Sequence, residues 1–234
     1  MNILKGTKVT WLGHATVLVE IPSGLNLLID PFLEHNPSYP KDFQLPEQID
    51  YVLLTHGHMD HIADAVTVAK KHGSTILGIY ELTSYLTGKG AEKTIGMNIG
   101  GTVSLPGVDV TMVEAKHSSS MQEGNQIIYL GVAAGLVLTV KDGPVLYHTG
   151  DTSVFSDMKL IRELYAPEVL MISMGGHFTM GPKEAALAVK YLEPKLILPI
   201  HWGTFPPLKG TPEQLAALLP DGKIVARVKP GESM

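Results

Sequence analysis

Short apolar runs interrupted by glycine and proline fill the first third of the chain. Val9 to Leu12, Thr16 to Ile21 and Leu25 to Ile29 are rich in Val, Leu and Ile. Gly13 separates the first two runs and Pro22-Ser23-Gly24 the second pair, the signature of strands joined by tight turns. Between Asp30 and Gln48, four prolines (Pro31, Pro37, Pro40 and Pro46) break the pattern and predict a long surface loop of a kind often put to functional use. Tyr51 to Thr55 reads as a buried strand. Ile62, Ala65, Val66 and Ala69 then follow at helical spacing and stop at Lys70-Lys71-His72-Gly73, cations followed by the glycine that commonly ends a helix. Thr75 to Ile79 predicts a strand and Glu81 to Leu86 a short helix.

The pattern turns to β again over Val103 to Leu105, Val108 to Val113, Ile127 to Val132, Leu136 to Val140 and Val145 to His148. The last third alternates. Met158 to Tyr165, Pro182 to Leu192 and Pro212 to Leu219 are predicted helices; Val169 to Ile172, Leu196 to Ile200 and Ile224 to Val228 are predicted strands. Pro182 and Pro212 suit first helical turns. Both halves therefore run from a β block into β/α alternation, without an internal sequence repeat or a flexible linker. Two sheets packed face to face, with helices outside, would bury every strand. One α/β domain spanning residues 1–234 is the expectation.

Composition narrows the function classes. With 44% hydrophobic and 18% charged residues, 234 residues can build one substantial core. The net charge of −5 and the lack of any Lys/Arg run exclude a general nucleic-acid binder, which needs a basic stripe. A local positive field stays compatible with that total. There are no cysteines, so any metal must be held by His and carboxylate. Met1-Asn2-Ile3-Leu4-Lys5 leads straight to Gly6 with no signal-peptide pattern. Apolar runs fall short of the roughly 18 residues that span a bilayer. A soluble cytoplasmic protein is expected, and a homo-oligomer is compatible with the sequence.

The chemistry is concentrated in Thr55-His56-Gly57-His58-Met59-Asp60-His61. His56 and His58, two apart, project from the same side of an extended segment, whereas Asp60 and His61 point in different directions. Such a loop serves two neighbouring ions better than one. The plainer role for Asp60 is a helix N-cap, but the capping-box partner is missing because residue 63 is Ala. Further candidate ligands stand at strand ends: His117 after Val108 to Lys116, Asp151 after Val145 to Gly150, and His201 after Leu196 to Ile200. If those strands lie alongside the Tyr51 strand, their ends converge.

The string His56-x-His58-x-Asp60-His61, followed by His117, Asp151 and His201, resembles the metallo-β-lactamase superfamily pattern over nearly the whole chain. The resemblance implies a four-layer αβ/βα sandwich of two mixed sheets. It also implies that His56, His58 and His117 hold one divalent ion, Asp60, His61 and His201 a second, and that Asp151 bridges them. Zinc is the first expectation, with manganese, nickel, cobalt or iron as alternatives. Trp11-Leu12-Gly13-His14-Ala15-Thr16, Ile29-Asp30-Pro31 and Gly175-Gly176-His177-Phe178-Thr179-Met180-Gly181-Pro182 resemble the L-ascorbate-6-phosphate lactonase-like branch of metal-dependent hydrolases. More distantly, they resemble the N-acyl-phosphatidylethanolamine-hydrolysing phospholipase D.

Two such ions lower the pKa of a shared water, making hydroxide available to attack a small ester, lactone or phosphodiester-type substrate. The charges of ions, Asp60, Asp151 and hydroxide sum to roughly +1, which favours an anionic substrate or transition state. Asp60 is the expected catalytic carboxylate, and His14 and His177 the expected substrate contacts. His177 stands beside a helix start, where N–H groups can meet an anion. Asp30 is read either as orienting a ligand imidazole or as capping a turn. His148 is read as packing behind the site, and His72 and His35 as ordinary surface residues. Two other functions remain open: a diiron-type oxidoreductase, disfavoured because such proteins carry Glu where His58 stands, and a metal-binding protein without turnover.

Overall fold

The computed structural model describes residues 3–234; Met1 and Asn2, part of the N-terminal reading, lie outside the described residues. The first sheet keeps chain order: β1 (Lys8–Trp11), β2 (Val17–Glu20), β3 (Asn26–Ile29), β4 (Tyr51–Leu53), β5 (Thr75–Ile79) and β6 (Thr94–Met97). β1, β2 and β3 pair antiparallel, then β3 to β6 pair parallel. The helices α1 (Met59–Ile62), α2 (Ala65–His72) and α3 (Tyr80–Gly88) lie between these strands in the chain.

The second half repeats that plan in a different sequence. It comprises β7 (Thr102–Leu105), β8 (Val108–Glu114), a separate hairpin of β9 (Ser120–Glu123) and β10 (Gln126–Tyr129), β11 (Ala134–Val140), β12 (Val145–His148), β13 (Val169–Ser173), β14 (Leu196–Ile200) and β15 (Ile224–Val225). The sheet order is β15-β14-β13-β12-β11-β8-β7. From β7 through β12 the pairing is antiparallel, and from β12 to β15 it is parallel. The helices α4 (Met158–Tyr165), α5 (Pro182–Leu192) and α6 (Pro212–Ala216) cover this half. Both sheets are mixed and flanked by helices, the αβ/βα arrangement of the metallo-β-lactamase fold.

β13 and β14 explain why their sequences show no polar alternation. Val169, Met171, Leu196, Leu198 and Ile200 enter the core between the sheets, whereas Leu170, Ile172 and Ile197 enter a second cluster. That second cluster includes Met158 and Ile161 of α4 and Ala185, Ala188 and Val189 of α5. Both faces of these strands are thus covered, as parallel strands require. Each fully buried Leu, Val or Ile contributes about 1.5–3 kcal/mol.

Local signals fix several ends. α2 stops at Gly73, whose φ of 66° is left-handed, and α6 starts on a reciprocal Thr211–Gln214 capping box. Some expectations need correction. The helix expected to run on from Ile62 breaks at Ala63–Asp64, because Asp64 Oδ2 accepts the Leu33 and Glu34 N–H groups at 2.6 and 3.3 Å. α6 ends at Ala216 rather than Leu219, and the final strand covers only Ile224–Val225. β6 escaped the sequence reading. The proline-rich loop borders a surface cavity of about 560 Å³ whose lining includes His35, Tyr39, Lys41 and Lys71 but none of the expected metal ligands. No described helix is long and apolar enough to cross a membrane.

Candidate metal centre

Strand direction assembles the site. β1 runs with β3 and β4, and β8 runs with β12, because each pair is related through an antiparallel neighbour or direct parallel pairing. His14, Asp30, His56, His117, Asp151 and His201 all follow C-terminal strand ends. Ligand sites in sheets with parallel strands favour that edge.

Three groups of side chains there could hold a cation: His56, His58 and His117; His14, Asp60, His61 and His201; and Asp30, His56 and His61. His58 Nδ1 faces His56 Nε2 at 3.0 Å. Asp151 reaches across the groups. Its Oδ2 lies 3.0 Å from His201 Nε2, 3.4 Å from His61 Nε2 and 3.8 Å from His117 Nε2. Asp60 Oδ2 lies 3.6 Å from His201 Nε2 and 3.9 Å from His61 Nε2. Zn–N bonds of about 2.0–2.1 Å allow two ligand atoms of one ion to stand at most about 4.2 Å apart, and every one of these distances qualifies. His61 Nε2, His201 Nε2 and Asp151 Oδ1 are buried without a hydrogen-bond partner, which is costly unless a cation satisfies them. The donor set fits divalent metal.

The far sides of the imidazoles are tied down. Asp30, fully buried, accepts Thr55 N–H at 2.8 Å on Oδ1, and Thr55 Oγ1–H at 2.6 Å and His61 Nδ1–H at 2.8 Å on Oδ2. Since the Thr55 hydroxyl proton is committed to Asp30, its oxygen accepts from His56 Nδ1 at 3.0 Å, which leaves the His56 Nε2 lone pair free. One carboxylate thereby orients two imidazoles. In the sequence, only its place next to His56 marks Thr55. His148, also fully buried, takes Gly150 N–H on Nδ1 at 3.1 Å and donates from Nε2 to Ala15 O at 3.0 Å, joining the His14 and Asp151 loops.

The expected substrate contacts fare differently. His14 is fully buried and donates from Nε2 to Asp60 Oδ2 at 2.8 Å. Its carbonyl receives Trp11 Nε1–H at 2.9 Å and His201 N–H at 2.8 Å, and Trp11 stacks on Trp202 with centroids 5.4 Å apart. His14 belongs to the buried cluster. His177 is exposed, its ring against Phe178, outside all three groups. The N–H of Gly181 at the neighbouring helix start is already taken by Glu184 Oε2 at 3.2 Å. His72 bonds Glu47 O at 2.9 Å and His35 is exposed. Asp60 lies inside α1 and makes no cap, since its carboxylate turns to His14.

Burial and neighbouring charge divide the imidazoles into two kinds. Burial, reinforced by His201, lowers His14 to about 4. Burial likewise lowers His56, His58 and His117, with His61 pressing on the first and His117 on the second. Burial also opposes charging of His61 and His201, but carboxylates outweigh it: Asp151, Asp60 and Asp30 hold His61 well above the usual range, and Asp151 holds His201 at about 9. Conversely, burial would raise Asp60 and Asp151, yet facing imidazoles hold both below the usual carboxylate range: His61 leads at Asp60 and His201 at Asp151.

The chain matches the beta-lactamase superfamily domain over residues 25–202. It is 45% identical over 230 residues to a metal-dependent hydrolase of Koribacter versatilis, covering 98% of each chain. A metal-dependent hydrolase of Methanopyrus kandleri is 47% identical over 231 residues, covering 97% of this chain and 98% of that one. Among solved structures, the metallo hydrolase Igni18 of the hyperthermophilic archaeon Ignicoccus hospitalis superposes with a TM-score of 0.83 at 36% identity, covering 97% of both chains.

Proposed function

The chain belongs to the beta-lactamase superfamily and is a metal-dependent hydrolase, and from that premise we propose that it works with two divalent ions on a small ester, lactone or phosphodiester-type substrate. His56, His58 and His117 would hold one ion, Asp60, His61 and His201 the other, with Asp151 shared. The observation that carries this reading is the Asp151 carboxylate, whose Oδ2 lies within 3.8 Å of imidazoles from both sets. We take residues 1–234 as one hydrolase domain, because a continuous core joins the two sheets. Zinc suits the five imidazoles and two carboxylates, and manganese, nickel, cobalt and iron share those preferences.

When bound, the metals supply a water acidic enough to attack near neutral pH and polarise the oxygen of the scissile bond. The chain's own residues set the rest. Asp60, with its side chain one-third exposed, is held as an anion by His61, His14 and His201. In that state it accepts a hydrogen bond from a nucleophile and orients it. His14, lowered to about 4, stays neutral and keeps its Nε2 proton on Asp60. Asp30, fully buried, brings a third carboxylate into the charge count, which falls from roughly +1 to about zero. A neutral balance favours negative charge that develops in the transition state over a formal charge already on the substrate.

Metal analysis of the purified protein tests this first, followed by lactone, phosphodiester and amide substrates with and without chelator. Two ions per chain and chelator-sensitive hydrolysis are the expected results. A protein that takes up no divalent metal would overturn the reading.

A further inference from the structure

The first two of the three serines after His117 stand where two metal-binding segments meet. Ser119 is buried at 3% exposure and fully engaged: its hydroxyl accepts Gly57 N–H at 3.0 Å and donates to Leu130 O at 3.2 Å. Gly57 separates His56 from His58 and has no room for a side chain. A Cβ there would lie 2.6 Å from Leu130 Cδ1. Ser119 O also receives Leu130 N–H at 3.0 Å, so Ser119 and Leu130 grip each other through both backbone and hydroxyl at the base of the β9–β10 hairpin. Ser118 turns the other way, its Oγ 3.2 Å from His58 Nε2, on the ring edge away from the nitrogen that faces His56. The loop that carries His117 thus holds the His56-Gly57-His58 segment at the backbone and at one ring.

We propose that Ser118 and Ser119 are positioning residues for the ion held by His56, His58 and His117, with Ser119 setting the distance between the two segments and Ser118 setting the ring orientation of His58. This rests on the metal-centre reading above. Neither serine is bonded to Asp60, His61 or His201; the His14 ring holds Asp60, the His14 carbonyl takes the His201 N–H, and Asp30 holds His61. Their influence is therefore confined to one ion. A hydrogen-bonded partner behind a ligand typically changes metal affinity by about 10–100-fold when removed. Ser119 acts on the backbone between two ligands and belongs in that range. Ser118 is exposed, so water replaces part of its contact and a loss of several-fold is expected.

The test is a two-site cobalt or zinc titration against a competing chelator, run on wild type, Ser119→Ala and Ser118→Ala. Imidazole ¹⁵N shifts of His58 are recorded in the loaded proteins. Ser119→Ala should weaken one ion by tenfold or more and leave the other within twofold. Ser118→Ala should weaken the same ion several-fold and broaden or shift the His58 signals alone. If Ser119→Ala fails to fold, the exposed Ser118→Ala decides by itself. Unchanged affinities, or equal weakening of both ions, would overturn the proposal. A wild-type protein that binds fewer than two ions would instead overturn the metal-centre reading, so the two failures are distinct.

Discussion

Asp30→Asn is the sharpest test of how the centre is supported, because it alters charge and donor pattern while keeping shape. The native carboxylate is fully buried and accepts three hydrogen bonds, one on Oδ1 and two on Oδ2. An amide can accept on only one of those positions. If its NH₂ takes the Oδ1 place, it faces the Thr55 N–H; if it takes the Oδ2 place, it faces the protons of Thr55 Oγ1 and His61 Nδ1. Either way a donor meets a donor. Charge-assisted bonds contribute about 1.5–3 kcal/mol each, and a buried unpaired donor costs about 1–3 kcal/mol. The variant should therefore be destabilised by about 3 kcal/mol. At about 2–4 °C per kcal/mol for a chain of this size, the metal-free melting temperature should fall by about 6–12 °C.

The same change reaches both ions, since Asp30 orients His61 directly and His56 through the Thr55 hydroxyl. Metal affinity should drop about 10–100-fold, with the larger loss at the ion held by His61. Thermal melts of the stripped protein and chelator competition on the loaded one measure the two effects separately. Melting within 2 °C of wild type together with unchanged affinity for both ions would refute the relay through Thr55.

Other perturbations probe other parts. His58→Ala and Asp151→Ala should lower metal content and abolish hydrolysis, while His72→Ala, whose ring only bonds Glu47 O, should do neither; metal stoichiometry of the three variants decides this. Metal uptake should depend on pH in a site-specific way. His61 is held well above the usual imidazole range and His201 at about 9, so near neutral pH both carry protons that an ion must displace. His56, His58 and His117 are lowered and already neutral. Acidification from pH 8 to 6 should thus release the ion of His61 and His201 first, and loading at pH 7.5 should expel about three protons per chain, two from these imidazoles and one from the metal-bound water, readable by calorimetry in buffers of different ionisation enthalpy. Finally, Tyr147 is fully buried with no partner for its hydroxyl among the described residues. Tyr147→Phe should stabilise by about 1 kcal/mol, a rise of about 2–4 °C in melting temperature.

Much of this architecture is written in the chain, though unevenly. β13 and β14 were legible because strands covered on both faces need continuous apolar runs. β6 was not, since Gly96 and two partly exposed neighbours give an edge strand no pattern. The break between α1 and α2 was invisible because it answers a tertiary demand, the capture of two distant N–H groups by Asp64. The metal-binding residue types stood out by their density around His58. Their supports stood out only in part. Asp30 already reads as a residue that orients an imidazole or caps a turn, and His14 as a site contact. Serine and threonine, by contrast, are ordinary loop residues until the fold shows that Ser119 grips Gly57 and Thr55 links Asp30 to His56.

Backbone strain separates the two kinds of loop residue in a way the sequence cannot. Eight described non-glycine residues have positive φ. Ala166 and Glu193 end helices and Asp142 sits in the turn between β11 and β12, places where the left-handed region is routine. His14, Asp30 and His201 are different: each follows closely on a strand end, with φ of 53°, 47° and 56°, and each is buried. Glycine would relieve a cost of about 1 kcal/mol or more at every one of them. The chain carries an imidazole or carboxylate there instead, and in all three cases the side chain turns toward the gap between the sheets to meet Asp60, His61 or Asp151. Strain at three converging strand ends is explained only if those side chains are needed at the centre. By the same reasoning His177, strained at φ 62° but exposed and outside the cluster, stands apart from that set.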